Sequence, residues 1–361
     1  MHITLFAPEM LTRGGVQSYT WHLLEALATE GLSTLISYAD TRALLLDERL
    51  EPYRKSGLKT YVCKRSIIKF SIEALQKTPR GSFVIVAHPG QAPIAYWLKQ
   101  FGLISKYVVC LHGIEAWVKL KPNLRKALYA SDKIIVTTPY TAAECSALNS
   151  IPPHKFHTIP LSAGKNLATP KNDFKLQGEF KILFVARQDK NDLYKGFTLA
   201  INATAQLCKL GVPATLNFVG TGDYSECLKD FATQHCPEHK DAVVFHGRLS
   251  DTDLVDAYFN CDVFLMPSLK EGFGIVFLEA MRAFKPCIGG WQGGTPYVIS
   301  EGQSGYLIPP EDLERLVTKL KALYENPTLR RQLGECGRIR FEKEFSFDKF
   351  CDNWCSLVRS L

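Results

Sequence analysis

Short, nearly uninterrupted apolar runs recur along this chain, each followed by a stretch of helical spacing. His2–Pro8 (HITLFAP) passes through the glycine loop Arg13-Gly14-Gly15 into a helical pattern from Val16 to Glu30. Ser33–Tyr38, Phe83–Ala87 (FVIVA), Tyr107–Leu111 (YVVCL) and Lys133–Thr137 (KIIVT) follow. A strand with one wet face alternates apolar and polar residues; a run apolar at almost every position is covered on both faces. Such strands, alternating with helices, build a buried parallel sheet. The pattern breaks between Ile151 and Pro170, where Pro152, Pro153, Pro160, Gly164 and Pro170 punctuate the chain, and a linker is expected there. It resumes with Phe180–Ala186 (FKILFVA), Ala214–Gly220, Ala242–His246, Asp262–Pro267 and Pro286–Gly290, and closes in a helical tail over Glu311–Leu361. At 361 residues the chain is long for one core and about right for two. The expectation is α/β, with two Rossmann-like, doubly wound domains facing a central cleft that holds the active site. Their bounds are read as 1–163 and 164–345, with 346–361 a terminal helix.

Several classes are excluded. Eleven cysteines lie scattered, with no Cys-x-x-Cys and no histidine cluster beside them, so neither a disulfide framework nor a zinc site is expected, and the thiols read as reduced. The start, MHITLFAPEM, reads as a first strand and not a signal peptide, and no run of about 18 apolar residues could span a membrane. A cytoplasmic location is expected. Charge is uneven: residues 1–163 hold 19 Lys/Arg against 11 Asp/Glu, whereas residues 164–361 hold 24 against 25. Lys64, Arg65 and Lys69, then Lys119, Lys121, Arg125 and Lys126, form basic clusters that suit an anionic membrane face or an acidic acceptor. Nucleic acid is not expected as a partner, since no reading helix or aromatic RNA-binding signature accompanies them.

The chemistry concentrates in Ser268–Ala280, SLKEGFGIVFLEA. Glu271 and Glu279 have seven residues between them, and Gly272-Phe273-Gly274 turns the chain just after the first. A strand-like run precedes this turn and a helical pattern opens at Ile275. The first turn of a helix has free N–H groups, and glycine admits a ligand close to the backbone, so the turn suits an anion. Two acids about 12 Å apart, if eight residues of helical rise separate them, can grip two hydroxyl-bearing parts of one ligand. Asp251-Thr252-Asp253 has the D-x-D form of a metal site, but Ser250 and the acids precede a helical pattern, where capping groups belong. Gly220-x-Gly222 lacks the third glycine of a dinucleotide fingerprint.

The Glu271/Glu279 spacing with its EGFG turn resembles the donor-site signature of the family 4 retaining glycosyltransferases of the GT-B fold, strongest over Lys181–Pro310. The resemblance implies that Glu271 contacts the donor sugar and Glu279 the ribose. Arg187, after FKILFVA, and Lys195, eight residues on, are similar to the family pair that holds the donor diphosphate. Negative charge grows on that leaving group as the glycosidic bond breaks, and fixed cations stabilise it without a bound metal. His112 matches a family histidine at the donor sugar, Gly14 and Gly15 a loop near the donor phosphate, and Gly220, Gly222, Gly247, Arg248 and Leu249 the walls of the nucleotide pocket. Gly272, Phe273, Gly274 and Ile275 complete the donor-binding set, Gly293-Gly294-Thr295-Pro296 resembles a further family turn, and His88 is a second-rank candidate for the acceptor. Phe284 stands where many relatives have a helix-ending glycine, so a differently shaped turn is expected there. The implied activity is metal-independent, retaining transfer of a hexose from a nucleotide-sugar, UDP-glucose first and GDP-mannose next, to a glycan or lipid-linked hydroxyl, with no cofactor. The rivals are a GT-B-like sugar-nucleotide epimerase and a non-catalytic nucleotide-binding subunit.

Overall fold

The computed structural model describes residues 2–12, 14–164 and 169–361. Arg13 of the glycine loop, and residues 165–168 of the expected linker, lie outside them. The chain divides into two compact units, Met1–Gly164 with Ser346–Leu361, and Lys165–Phe345.

Unit 1 is built on seven parallel strands: β1 (Ile3–Ala7), β2 (Leu32–Ser37), β3 (Lys59–Val62), β4 (Ser82–Val86), β5 (Ile104–Leu111), β6 (Lys133–Val136) and β7 (Phe156–Thr158). Their order is β3-β2-β1-β4-β5-β6-β7. Every residue of β1 and β4 is buried, the consequence of helices on both faces. The proline-punctuated stretch is not all linker. Residues 151–164 belong to unit 1, and Phe156–Thr158 pairs with β6. Three residues at a sheet edge are too few to show an apolar run, so the sequence of this strand looks like linker. β3, also short and at an edge, shows no apolar run either.

The helix Phe347–Ser360 packs on the helix Gly15–Leu27 of the same unit. Trp354 is fully buried, Tyr19 meets Phe350 edge-on with ring centres 5.9 Å apart, and Arg359 forks onto the Glu30 carboxylate at 2.6 and 3.0 Å. All eleven cysteines are free thiols.

Unit 2 has six parallel strands: β8 (Phe180–Val185), β9 (Ala214–Val219), β10 (Val243–Phe245), β11 (Val263–Met266), β12 (Cys287–Gly290) and β13 (Gly305–Ile308). Their order is β10-β9-β8-β11-β12-β13. The first strand therefore lies beside the fourth, and chain direction across the sheet reverses between them. The segment entering this unit is clamped by one buried carboxylate. Asp256 accepts hydrogen bonds from the backbone N–H groups of Lys171, Asn172, Asp173 and Phe174 at 2.7–3.1 Å.

Phe284 does not reshape its turn. Its backbone takes the left-handed conformation, φ 59°, that a helix-ending glycine would take. The phenyl ring lies under the Arg338 guanidinium at 5.1 Å. Close packing holds this corner: a Cβ placed on Gly334, inside the helix Pro327–Arg340, would stand 2.0 Å from the Phe284 carbonyl oxygen. Alanine is the better helix former by about 1 kcal/mol. Overpacking against backbone that no rotamer change can relieve costs about 1–3 kcal/mol. Gly334→Ala is therefore expected to lower the urea midpoint despite its propensity; an unchanged or raised midpoint would show that the corner yields.

Candidate active site

In unit 2 the loops after β8 and β11 leave the same edge of the sheet, on either side of the point where strand order reverses, the usual place for a ligand in an open α/β sheet. Arg187 follows β8. Its guanidinium Nε donates to Asp192 Oδ2 at 2.8 Å and lies 2.9 Å from Asp189 Oδ2 in an ion pair, while the side chain stays 65 % exposed. Asp192 is buried, which alone would raise its carboxyl. The hydrogen bond from Arg187 and the charge of Lys195 outweigh burial and hold it below the usual carboxylate range. Tyr194 donates its hydroxyl to the other oxygen of Asp192 at 3.1 Å.

A short 3₁₀ segment, Lys190–Lys195, then leads into the helix Phe197–Lys209 and lies against the loop after β11. The Leu269 N–H donates to the Tyr194 carbonyl at 2.7 Å, and a Cβ on Gly196 would stand 2.6 Å from the Pro267 carbonyl oxygen. Lys195 is thereby brought within electrostatic reach of Glu271. Burial raises the Glu271 carboxyl, and Lys195 is the strongest influence opposing that rise, followed by the N–H groups of Phe273 and Gly272. The loop after β12 supports the same residue: the Gly294 N–H donates to the Glu271 carbonyl at 2.7 Å.

Gly274 caps the helix Ile275–Arg282 with φ 88°, and a Cβ there would meet the Phe277 ring at 2.5 Å, so glycine is required twice over. The helix starts only at Ile275, so only four of the eight steps between the acids are helical, contributing about 6 Å of rise, and the 12 Å estimate that took all eight as helical does not hold. Glu279 accepts a hydrogen bond from the buried Tyr258 hydroxyl at 2.6 Å. Burial raises its carboxyl, the Tyr258 bond and Arg282 oppose the rise, and Asp251, at the start of the helix after β10, adds to it.

The other predicted donor residues line the same edge. The Gly220 N–H donates to the Gly247 carbonyl at 2.8 Å, joining the loops after β9 and β10, and Gln188 donates from its backbone to Thr221 and from its side chain to the Gly220 carbonyl. Arg248 is exposed and Leu249 half-buried on the loop that follows. Asp251 and Asp253 sit in a helix first turn whose cap is Ser250, with the Asp253 N–H donating to Ser250 Oγ at 3.1 Å. The sequence reading missed three residues that hold this site: Asp192, Tyr194 and Tyr258. The first two lie between the noticed cations and could have been weighed with them. Tyr258 is joined to Glu279 only by the fold.

In unit 1, His112 follows β5. Its Nε2 lies 2.7 Å from the Ala87 carbonyl, which can only accept, so Nε2 carries the proton. In the neutral tautomer this leaves Nδ1 as an acceptor. The Glu115 carboxylate takes the His112 backbone N–H at 2.5 Å, and the Tyr19 ring meets the imidazole edge-on at 4.7 Å. His88 after β4 stacks beside His112 at 6.3 Å, and its Nδ1 accepts from the Gly90 N–H at 3.2 Å. Gly14 precedes the helix Gly15–Leu27 in extended backbone, so its own conformation makes no demand for glycine.

Residues 168–340 match the model of the family described as glycosyl transferases group 1, and residues 13–162 match glycosyltransferase family 4. The chain belongs to the family 4 glycosyltransferases. This glycosyltransferase is 26 % identical to the GDP-mannose-dependent monoacylated alpha-(1-6)-phosphatidylinositol monomannoside mannosyltransferase of Corynebacterium glutamicum, over 96 % of this chain and 94 % of that one. It is 35 % identical to the O-antigen chain mannosyltransferase C of Escherichia coli over 46 % of this chain and 44 % of that one. Among solved structures, Anabaena HepE in complex with UDP superposes at TM-score 0.79 with 17 % identity, covering 100 % of both chains. The sucrose-phosphate synthase of Thermosynechococcus elongatus superposes at 0.78 with 20 % identity, over 99 % of this chain and 98 % of that one. The glycosyltransferase thus has the GT-B fold. Among its described residues no helix is long and apolar enough to cross a membrane.

Proposed function

We propose that this glycosyltransferase moves a hexose from a nucleotide-sugar to a hydroxyl of a glycan or lipid-linked acceptor, with retention at the anomeric carbon and no metal ion. The observation that carries the reading is the cluster beside the strand-order reversal of unit 2, in which Asp192 holds Arg187 through a 2.8 Å hydrogen bond and the charge of Lys195 acts on both Asp192 and Glu271. Asp192 and Tyr194 preorganise that cluster. Arg187 engages its two carboxylates through Nε, the inner nitrogen, with the guanidinium largely exposed. The proposed role of both cations is to hold the diphosphate and to stabilise the charge it gains as the bond to the sugar breaks. Glu271 holds the sugar hydroxyls, Glu279 the ribose, and the backbone of Gly272, Phe273 and Gly274 the approach to the phosphate. His112 is proposed to contact the donor sugar through its Nδ1 side. The acceptor oxygen attacks on the face the diphosphate leaves, and the departing phosphate takes the acceptor proton. UDP-glucose is the proposed donor, with GDP-mannose next. Unpaired cysteines fit a reducing compartment and are the ground for proposing the cytoplasm.

A thermal-shift series with UDP, GDP and ADP, followed by their sugars, tests the donor. A ligand that binds only the folded state at 100 times its Kd adds about 2.7 kcal/mol of stability. The expected result is a clear shift with UDP and UDP-glucose. A shift with GDP alone would move the assignment to GDP-mannose, and no shift with any nucleotide would overturn the reading. Consumption of the nucleotide-sugar without release of nucleoside diphosphate would favour the epimerase.

A further inference from the structure

Unit 1 carries another surface that this chemistry does not use. Three helices, Ile67–Lys77, Ala92–Gln100 and Pro122–Ala130, share one core cluster through their inward residues, among them Phe70, Ala95 and Leu128. Their outward faces are not those of an ordinary solvated layer. On the first helix Phe70 and Ala74 are buried, yet Ile67, Ile68, Ile72 and Leu75 are between 47 and 71 % exposed. At 3.6 residues per turn these four fall within an arc of about 140°, an apolar flank that begins beside the core-facing Ala74 and includes the half-buried Ser71. The second helix and the turn after it add Trp97 and Phe101, stacked at 5.8 Å and 53 and 69 % exposed, and the third adds Tyr129 at 56 %. Single exposed apolar residues are ordinary; an apolar stripe extended by exposed aromatics points to a partner.

Charge says which partner. Residues 64–130 contain eleven Lys/Arg and two Asp/Glu. Glu115, one of the two acids, is occupied by the His112 backbone, and Glu73 is half-buried. Lys64 and Arg65 stand exposed just before the first helix, Lys119 and Lys121 before the third, and Arg125 is exposed on it. Outward helix ridges with apolar crests and a cationic border match the two layers of an anionic bilayer. Aliphatic and aromatic side chains enter the boundary with the acyl chains, while Lys and Arg reach the head-group phosphates.

We propose that this three-helix layer docks the protein on an anionic lipid bilayer, with Ile68, Ile72 and Leu75 entering the interface and Lys64 and Lys69 at its phosphates. The surface lies wholly in unit 1 and does not depend on the donor reading. Flotation of the full chain with phosphatidylcholine vesicles, with and without phosphatidylglycerol, tests it. Binding is expected with phosphatidylglycerol only. It weakens with salt and falls about fivefold for each of Lys64→Ala and Lys69→Ala. Ile68→Ser with Ile72→Ser is expected to lower it at least about tenfold while leaving the melting temperature unchanged, because both side chains already face solvent. Absence of binding to phosphatidylglycerol, or equal binding to both vesicle types, would overturn the proposal. So would loss of binding in the lysine variants with none in the isoleucine pair, since attraction to any polyanion gives that result.

Discussion

Lys195→Ala and Glu271→Ala each lower kcat for sugar transfer by on the order of 10²–10³, the loss seen when one preorganised group facing developing charge is removed. In the proposed mechanism the two residues act on different parts of the donor but depend on one another. Burial pushes the Glu271 carboxyl up, and Lys195 is the main influence holding it down. Without Lys195 the diphosphate loses a cation, and Glu271 stays protonated to higher pH. The Lys195→Ala variant therefore has its acidic limb of activity displaced upward, an effect that a purely structural lysine would not produce. Stability changes little, because a partly exposed charge pair contributes only about 0–1 kcal/mol. Steady-state kinetics across pH, beside the melting temperature, make the check. Wild-type turnover in both folded variants would remove the two residues from the mechanism.

Acidification from pH 6.5 to pH 4 costs unit 1 on the order of 3 kcal/mol through His22 alone, and His22→Leu abolishes that component. The imidazole projects from the helix Gly15–Leu27 against the rings of Phe347 and Phe350, with centres 5.7 and 6.3 Å away. A Cβ on Gly164 would stand 2.7 Å from its Nε2. Burial lowers its pKa from 6.5 to about 4. The unfolded chain takes up a proton below pH 6.5 that the folded chain refuses until about pH 4, so stability falls with pH across that window and levels off below it. Other groups titrate in the same range, and comparison of the variant with wild type subtracts them. Urea midpoints at pH 7 and pH 4.5 should converge in the variant relative to wild type. Identical pH slopes would show that His22 is hydrated in solution.

Legibility followed locality. β1, β4, β5, β8, β9 and β11 each announce themselves in five or so consecutive residues, because a strand buried on both faces has to be apolar throughout. β3 and β7 lie at sheet edges, are short and keep exposed positions, so their residues look like loop. The same division runs through the site. Glu271, its glycine turn and Glu279 occupy nine successive positions, and Arg187 and Lys195 another nine. What holds them does not. The Tyr258 hydroxyl reaches Glu279 from 21 residues away, the Gly294 N–H reaches the Glu271 carbonyl, and Gly334 exists to admit the Phe284 carbonyl. The turn at Phe284 is instructive, since residue type suggested a changed backbone and the packed corner imposed the left-handed one.

Taken alone, the chain's residue order determined the two parallel-sheet halves and singled out the cations and acids proposed to serve a sugar nucleotide, because periodicity and short motifs are properties of neighbours. Only the tertiary structure decided that Asp192 grips Arg187 while Lys195 restrains Glu271, and that four aliphatic side chains of one helix face outward among lysines. Burial and through-space charge depend on which distant segments come together, and no local pattern records that.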